Sequence, residues 1–171
     1  KAWEPFDIIY KGVKLSAENL YFKEDDETLK ITENVKIFAN GFDISVASLD
    51  KAPGSNILKF NGKISGNNGE YSFVADSGTY NTQTKILEMS GDIIGKSVTG
   101  DVLVADRIIY DTQKETLRVI ASDKVKYTTQ QGELVAYEFI YSFTSKELIT
   151  DGAYSFKGKE YESEGKNLYY N

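Results

Sequence analysis

The sequence has no cysteine and no histidine in its 171 residues. The first absence excludes disulfides, thiolate metal sites, iron–sulfur clusters and cysteine nucleophiles. The second absence removes the commonest general base, the commonest metal ligand and every Ser-His-Asp triad. Together they exclude most of the familiar catalytic and metal-binding constellations.

The chain also lacks a basic block and a long apolar run. Its formal net charge is −6, and an acidic chain of this kind is a poor ligand for nucleic acid. Its unbroken apolar stretches, such as Val102–Ala105, are far shorter than the roughly 20 residues that a membrane span needs. The chain opens on Lys1 rather than on methionine, so we expect either a domain trimmed at its edge or an exported protein, and the absence of cysteine fits export.

Short runs of alternating apolar and polar residues fill almost the whole chain. Leu29-Lys30-Ile31 and Tyr71-Ser72-Phe73 are typical, and β-branched and aromatic residues dominate such runs. Turn dipeptides such as Asn40-Gly41 and Asp151-Gly152 separate the runs, and no window of a dozen residues keeps a helical period. The sequence therefore predicts one all-β domain over residues 1–171, with a dozen or more consecutive strands paired antiparallel.

Three markers repeat with spacings of 28 to 32 residues. The first is a small residue followed four or five positions later by an aromatic one: Ala17 with Tyr21, Ala75 with Tyr80, Ala105 with Tyr110, Ala136 with Tyr141, and Gly165 with Tyr170, while Ala47 keeps the phase without the aromatic. The second is a leucine: Leu29, Leu58, Leu87, Leu117, Leu148. The third is a turn residue soon after that leucine: Asn34, Gly62, Gly91, Asp123, Gly152. Units of this size bury their apolar faces only by stacking, so the markers predict an elongated array of repeats.

Equivalent positions of stacked repeats line up, so the leucines should form a column along the interior. The residues two positions later share their face and should form a column beside them: Ile31, Phe60, Met89, Val119. A second inward column should come from the residues two positions before the small marker: Leu15, Phe73, Leu103, Leu134. The small residue either leaves room within that column or packs beneath a neighbouring strand, and the sequence favours neither alternative.

The repeat resembles the OstA-like unit of lipopolysaccharide-transport proteins. The segments that carry the resemblance are ENVKIFANGFDISVASL, YNTQTKILEMSGDI and VLVADRIIYDTQKETLRVIASDKVKY. In that family the unit consists of an alanine-aspartate pair, an aromatic residue, a polar turn, a leucine, and a Gly/Asn-Val turn and strand. Ala75-Asp76 and Ala105-Asp106 carry the pair, Ala17-Glu18 is a close variant, and Ala136-Tyr137 departs from it. The resemblance extends from about residue 13 to residue 171.

The resemblance implies a folded-over β-jellyroll, open along one side, in the bacterial periplasm. It implies a non-enzymatic carrier without a cofactor, which binds the acyl chains of lipopolysaccharide in an apolar slot. The tail GKEYESEGKNLYYN is similar to the closing strands of LptC-type members, which carry an N-terminal inner-membrane helix and dock on the inner-membrane transporter; the soluble LptA-type bridge subunit is the alternative. The residues expected to line the slot are Leu29, Ile31, Leu58, Phe60, Phe73, Leu87, Met89, Leu103, Leu117, Val119, Leu134 and Leu148.

The ends of the predicted sheet form a second candidate site, because no capping helix is evident at either terminus. An uncapped edge invites strand addition by a partner, and the family implies head-to-tail pairing with other bridge proteins. The residues expected at the partner edge are Tyr161, Leu168, Tyr169 and Tyr170.

Two other interpretations remain open on the residues alone. A structural or adhesive cell-surface repeat protein would have a solid core instead of a slot. A carbohydrate-binding module or enzyme would need an exposed aromatic platform and a carboxylate pair, and Asp76 with Asp106 is the candidate pair. The in-phase repetition of these aspartates favours turn or strand-edge roles. The acidic run Glu24–Glu27 lacks the spacing of a calcium loop and predicts a hairpin turn.

Overall fold

The computed structural model describes residues 6–10, 13–39 and 41–170, and nearly all of them lie in β-strands. Within these ranges the only helical element is a 3₁₀ turn at Glu24–Asp26, which makes the predicted hairpin turn of the acidic run. The seventeen strands form one sheet. They are β1 Phe6–Tyr10, β2 Val13–Ala17, β3 Asn19–Lys23, β4 Thr28–Ala39, β5 Phe42–Lys51, β6 Ile57–Asn61, β7 Ile64–Asn67, β8 Tyr71–Ala75, β9 Ser77–Asn81, β10 Ile86–Ser97, β11 Val102–Asp111, β12 Thr116–Thr128, β13 Gly132–Ser142, β14 Leu148–Thr150, β15 Ala153–Gly158, β16 Glu162–Lys166 and β17 Tyr169–Tyr170.

The sheet grows in chain order through antiparallel hairpins. Long strands β4, β5, β10, β11, β12 and β13 pair one after another, apart from the gap between β5 and β10. Short strands bridge that gap, with β6 and β7 on β5 and with β8 and β9 on β10. This local order fits the predicted array, because consecutive strands with tight turns pair with their neighbours in sequence.

The pairing of neighbouring long strands shifts its register near the middle of the sheet. The register of β4 with β5 shifts between Thr32 and Val35, where Glu33 and Asn34 have φ of 66° and 53°. The register of β10 with β11 shifts between Ser90 and Ile93, beside Gly91 at φ 80°. Such bulges bend a strand sharply. Because they recur in phase, the sheet folds along one line, the corner, into two facing walls.

The two walls are defined by their strands. The first wall holds β1, β2, β7, β8, β15 and β16, with the parts of the long strands that pair with them. The second wall holds β3, β6, β9, β14 and β17, with the remaining parts of the long strands. One cluster of buried apolar side chains draws on both walls. Leu15 from the first wall and Ile31 from the second are fully buried, and each such side chain contributes about 1.5–3 kcal/mol to folding.

The register places the residues of the predicted columns in rows that cross the sheet. One row across the second wall contains Ile31, Leu49, Phe60, Gly78, Met89, Ile108, Val119 and Phe139. One row across the first wall contains Leu15, Ile37, Ile44, Gly66, Phe73, Gly95, Leu103, Tyr127, Leu134 and Phe156. The repeat period is thus the number of residues along the chain that separate one member of a row from the equivalent member two strands away.

Candidate functional site

The corner of the sheet is where the small residues of the repeat lie. Ala75 is paired with Ile64, Ala105 with Ile93, and Ala136 with Val125, so each alanine faces a β-branched residue on the adjacent strand. All three alanines are buried. The structure therefore places them beneath neighbouring strands, where the two walls converge and a larger side chain would push the walls apart.

The acidic residues that follow the alanines fasten the corner from outside. Asp106 accepts hydrogen bonds of 2.5 Å from both the backbone N–H and the hydroxyl of Ser122, and these bonds hold the pKa of Asp106 below its ordinary value. Glu18 accepts a hydrogen bond from the side-chain amide of Asn34. In these two units the carboxylate next to the alanine thus ties the corner to the next turn, which is the turn role that the sequence favoured for Asp106.

Asp76 makes the same connection through its backbone and by close packing. Its N–H donates to the carbonyl oxygens of Ser90 and Gly91 at 3.2 and 3.0 Å. A Cβ atom on Gly91 would lie 2.7 Å from the Asp76 carboxylate, so this turn position requires glycine. Asp76 and Asp106 each serve their own corner, and among the described residues no group of acidic side chains is arranged to hold a metal ion.

The free margin of the second wall carries a row in which leucine and tyrosine alternate. Leu87 is paired with Tyr80 on one side and Tyr110 on the other, and Leu117 is paired with Tyr110 and Tyr141. The same alternation continues to the C-terminal end. We call this row the lip: Leu58, Tyr80, Leu87, Tyr110, Leu117, Tyr141, Leu148 and Tyr170. The leucine and aromatic markers of the repeat are therefore cross-strand partners, a relation that their separate spacings did not reveal.

Two assignments within the repeat are wrong by one residue. Tyr21 faces outward and is exposed, because Phe22 is the residue paired with Leu29. Ala47 is also exposed, and Val46 is the buried residue paired with Val35. Counting five positions from Val46 leads to Lys51, which is paired with Leu29 and occupies the place of the aromatic. A constant spacing of five residues between the small residue and the aromatic residue, as in the later units, would have identified these positions from the sequence.

The residues of the predicted lining differ in their exposure. Leu29, Ile31, Leu58 and Phe60 of the predicted lining are buried, as are Met89, Val119 and Leu134. The remaining members are only half-buried: Phe73, Leu87, Leu103, Leu117 and Leu148. The row that contains Ile31 and Val119 is therefore buried along the whole sheet, whereas the leucines of the lip become partly accessible from Leu87 onward.

Two tyrosines of the interior are partly buried. Burial raises the pKa of Tyr110, with smaller contributions from the nearby Glu115 and Asp111 carboxylates. Burial likewise raises the pKa of Tyr127, which lies in the first wall opposite Leu103. Both tyrosines stay protonated at neutral pH, so the interior presents apolar surface and neutral hydroxyls.

The C-terminal end of the sheet is an open edge. All residues of β16 and β17 are exposed, and Tyr161 and Tyr170 are exposed by 65% and 64%. Within the described chain β16 pairs only with β15, and β17 only with β14. Tyr169 donates a hydrogen bond to Glu147, which lowers the pKa of that carboxyl group. Leu168 is half-buried, and its backbone exchanges hydrogen bonds of 2.8 and 2.9 Å with Thr150.

The opposite end of the sheet is also open. Strand β1 pairs only with β2, and β3 only with β4, among the described residues. Phe6, Ile8 and Tyr10 turn their side chains toward the core, whereas Ile9 is exposed on the outer face. The two ends therefore differ, since large inward side chains end the array at β1 and Ser163 and Gly165 end it at β16.

Comparison with known proteins supports this architecture. No protein-family model matches the sequence, and no curated protein matches it. Among solved structures, the chain is similar to LptH of Pseudomonas aeruginosa, described as the LptA-homologous periplasmic component of the conserved lipopolysaccharide transport device. The TM-score is 0.51 at 8% sequence identity, over 64% of this chain and 82% of that one. The fold is a folded-over antiparallel β-jellyroll.

That fold likeness confirms the predicted fold class and supplies no residue-level assignment at this identity. No helix in the described part of the chain has the length and apolar character needed to cross a bilayer. The roles of the interior and edge residues remain predictions, and the structure adds Lys51 and Phe143 to the residues of interest. Phe143 lies outside the repeat markers, so no periodic signal pointed to it.

Proposed function

We propose that this protein is a non-enzymatic carrier of lipopolysaccharide, which it binds by its acyl chains, and that it forms part of a periplasmic bridge between the inner and outer membranes. The observation that carries the proposal is the half-exposed lip of leucines and tyrosines along one margin of a two-walled sheet. Each methylene group removed from water there gains about 0.8 kcal/mol, so several acyl chains supply ample binding energy even when they are only partly enclosed.

Two further features support the proposal. The fold likeness to LptH gives the same architecture in a component of a lipopolysaccharide transport device. The open edges at β1 and at β16 and β17 offer strand addition at both ends of the array. A continuous interior across several copies would then lie along their common axis.

The open half of the interior is the part we assign to the ligand. Leu87, Leu117 and Leu148 on the second wall, with Phe73 and Leu103 on the first, are accessible without rearrangement. Leu29, Ile31, Leu58 and Phe60 are sealed in the core, so contact with them requires the walls to separate. We therefore expect acyl chains to enter between β9 and β17.

Site-specific photo-crosslinking to lipopolysaccharide tests the proposal. The probe is placed at Leu87 and Leu148, with the adjacent Ile86 and Ile149 as matched controls, because successive residues of a strand point to opposite faces. Crosslinks at the two leucines and not at the two isoleucines are expected. Absence of crosslinks at all four sites in the folded protein would overturn lipid carriage.

The closed half of the interior favours a second candidate, a structural or adhesive repeat protein. Leu29, Ile31, Leu49 and Leu58 form a well-packed core without ligand, as a solid sandwich would. That candidate predicts that lipopolysaccharide leaves the amide spectrum of the lip unchanged, whereas lipid carriage predicts shifts there.

The subtype follows from the partner. The LptC-type interpretation rests on the likeness of the tail from residue 158 to residue 171, and the LptA-type interpretation on the fold likeness to LptH. An LptC-type protein docks on the inner-membrane transporter. Pull-down of the detergent-solubilised transporter by this chain separates the two subtypes, since only an LptC-type protein is expected to retain the transporter. A variant truncated before Glu162 is the comparison.

A further inference from the structure

Three aromatic rings are grouped at the middle of the lip. The ring of Phe143 lies 4.9 Å from that of Tyr141 at an angle of 85°, and 5.9 Å from that of Tyr110 at 76°. Tyr110 and Tyr141 are separated by Leu117, to which both are paired. Phe143 therefore stands edge-to-face against two tyrosines that are two strands apart, about 10 Å. We call these three residues the aromatic group.

Local hydrogen bonds fix the position of Phe143. Its backbone N–H donates to the carbonyl oxygen of Glu115 at 3.0 Å, and the hydroxyl of Thr144 donates to Oε2 of Glu115 at 3.1 Å. These bonds join the hairpin after β13 to the hairpin after β11. The aromatic group is thus preorganised, so ligand binding costs little conformational entropy to order these side chains.

The aromatic group lies at the boundary between the apolar interior and water. Tyr110, Leu117 and Tyr141 are half-buried, and Phe143 retains 37% of its exposure. Phe143 belongs to neither of the buried rows, so its exposed surface is not needed to complete the core. A ligand whose apolar part enters the slot must place its polar part beside this surface.

The polar groups around the aromatic group suit a hydroxylated ligand. The structure shows no hydrogen-bond partner for the Tyr110 and Tyr141 hydroxyls among the described residues, which leaves each free to donate and accept. Asp111 and Glu115 lie close enough to act electrostatically on Tyr110. Lys114 is already paired with Asp111 at 3.6 Å, so its charge has a carboxylate partner.

A pyranose ring has the matching chemistry. One of its faces carries axial C–H bonds, which are attracted to the electron-rich face of an aromatic ring. Its hydroxyl groups need donors and acceptors at the rim, which the tyrosine hydroxyls and the carboxylates provide. From this match we infer that the aromatic group is a saccharide subsite, which holds a pyranose ring of a glycolipid headgroup while acyl chains occupy the adjoining interior. The acyl-chain part of this inference rests on the proposed function.

The test measures the binding of three ligands to variants of Phe143 and to one control variant. Phe143→Ala removes the central ring, Phe143→Tyr preserves it, and Tyr137→Ala is the matched control, since Tyr137 is an exposed aromatic outside the lip. The ligands are lipid A, palmitate, and a glucosamine disaccharide without acyl chains. Phe143→Ala should weaken binding of lipid A about tenfold, a change of about 1.4 kcal/mol, because it removes the central aromatic contact. Palmitate binding should change less than about twofold.

The outcomes separate this inference from the proposed function. An equal loss for lipid A and palmitate, or no loss for either, would show that Phe143 only packs the lip and would overturn the subsite. If the wild-type protein binds neither lipid, the proposed function fails. The disaccharide then decides the subsite alone, because shifts of the Leu117 and Phe143 resonances on titration support it and their absence refutes it.

Discussion

The ammonium group of Lys51 lies 2.8 Å from the backbone carbonyl oxygen of Glu27 and 3.2 Å from Oε2 of the same residue. The Lys51 side chain is completely buried, although every aromatic in the equivalent positions of later units is at least partly accessible. Lys51 thus covers Leu29 and closes the interior at the N-terminal end of the lip. Its four-carbon chain packs with the core while its charge reaches the turn.

Replacement of Lys51 should destabilise the protein in two steps. Lys51→Met keeps most of the apolar chain but removes the hydrogen bond that Lys51 donates to the Glu27 carbonyl oxygen, which should cost about 1–2 kcal/mol of the free energy of unfolding. Lys51→Ala should cost about 2 kcal/mol more, since it also removes buried methylene groups worth about 0.8 kcal/mol each. Urea denaturation measures both. Lys59→Met on the exposed outer face is the control, with an expected change below about 0.5 kcal/mol; equal effects at both lysines would contradict the closing role.

Two glycines that flank Phe73 should respond differently to the same substitution. A Cβ on Gly66 would lie 2.2 Å from Cε1 of Phe73, whereas a Cβ on Gly95 would lie 3.4 Å from Cβ of Leu103. Gly66→Ala should therefore cost about 1–3 kcal/mol through overpacking. Gly95→Ala should be neutral or slightly stabilising, because alanine loses less backbone entropy on folding. Thermal denaturation of the two variants decides, and similar melting temperatures would show that Phe73 moves freely.

The stability of the hairpin formed by β3 and β4 should depend on pH through Asp26. The hydroxyl of Thr28, then Lys23, then the backbone N–H of Thr28 donate to its carboxylate and lower its pKa from 3.8 to about 2. Because the folded-state pKa lies below the unfolded one, the ionised carboxylate stabilises the fold fully above about pH 4, and this contribution disappears as the pH falls toward 2. The melting temperature of Asp26→Ala should thus lie below that of the wild type at pH 7 and approach it by pH 2. Asp25→Ala is the control, and a difference that stays constant with pH would refute the assignment.

Head-to-tail assembly can be tested with engineered thiols, since the chain has no cysteine of its own. Ile9 on β1 and Glu164 on β16 are both exposed on the outer face of the first wall, at opposite ends of the sheet. Under oxidation the double variant Ile9→Cys with Glu164→Cys should form a ladder of oligomers, because a disulfide needs Cα atoms about 4.4–6.8 Å apart. Each single variant should remain monomeric. Dimers of the single variants would indicate symmetric pairing of like edges instead, and Glu162→Cys in place of Glu164→Cys tests the neighbouring register.

The fold class was accessible from the sequence because the repeat obeys local rules. Alternation of period two, glycine turns and in-phase leucines act between neighbouring strands, so the register of Leu87, Leu117 and Leu148 follows from spacing alone. The bend at Asn34 and Gly91 was visible as a turn marker. Its role as a fold line across the whole sheet was not, because a bulge leaves the same sequence signal as a hairpin turn.

The accessible part of the interior could not be predicted. Leu58 and Leu87 have the same place in the repeat, yet Leu58 is buried and Leu87 is half-exposed. The difference arises where Lys51 replaces an aromatic, and a lysine in sequence indicates a solvated position. Phe143 could not be predicted for a related reason. It lies in a hairpin outside the repeat, and only its ring contacts with Tyr110 and Tyr141 single it out.

Because the corner repeats, the length of the sheet can change without any change in its cross-section. Each unit of about 30 residues adds one hairpin to each wall, and so extends the array by two strands, roughly 10 Å. The Asp106 to Ser122 bond joins one unit to the next, and a stacked array of this kind depends on contacts between neighbouring units, so a whole unit could be duplicated or deleted while the other units keep their pairing. The number of units therefore sets the length of the array. A chain of the same design can span a wider or narrower gap if it has more or fewer repeats.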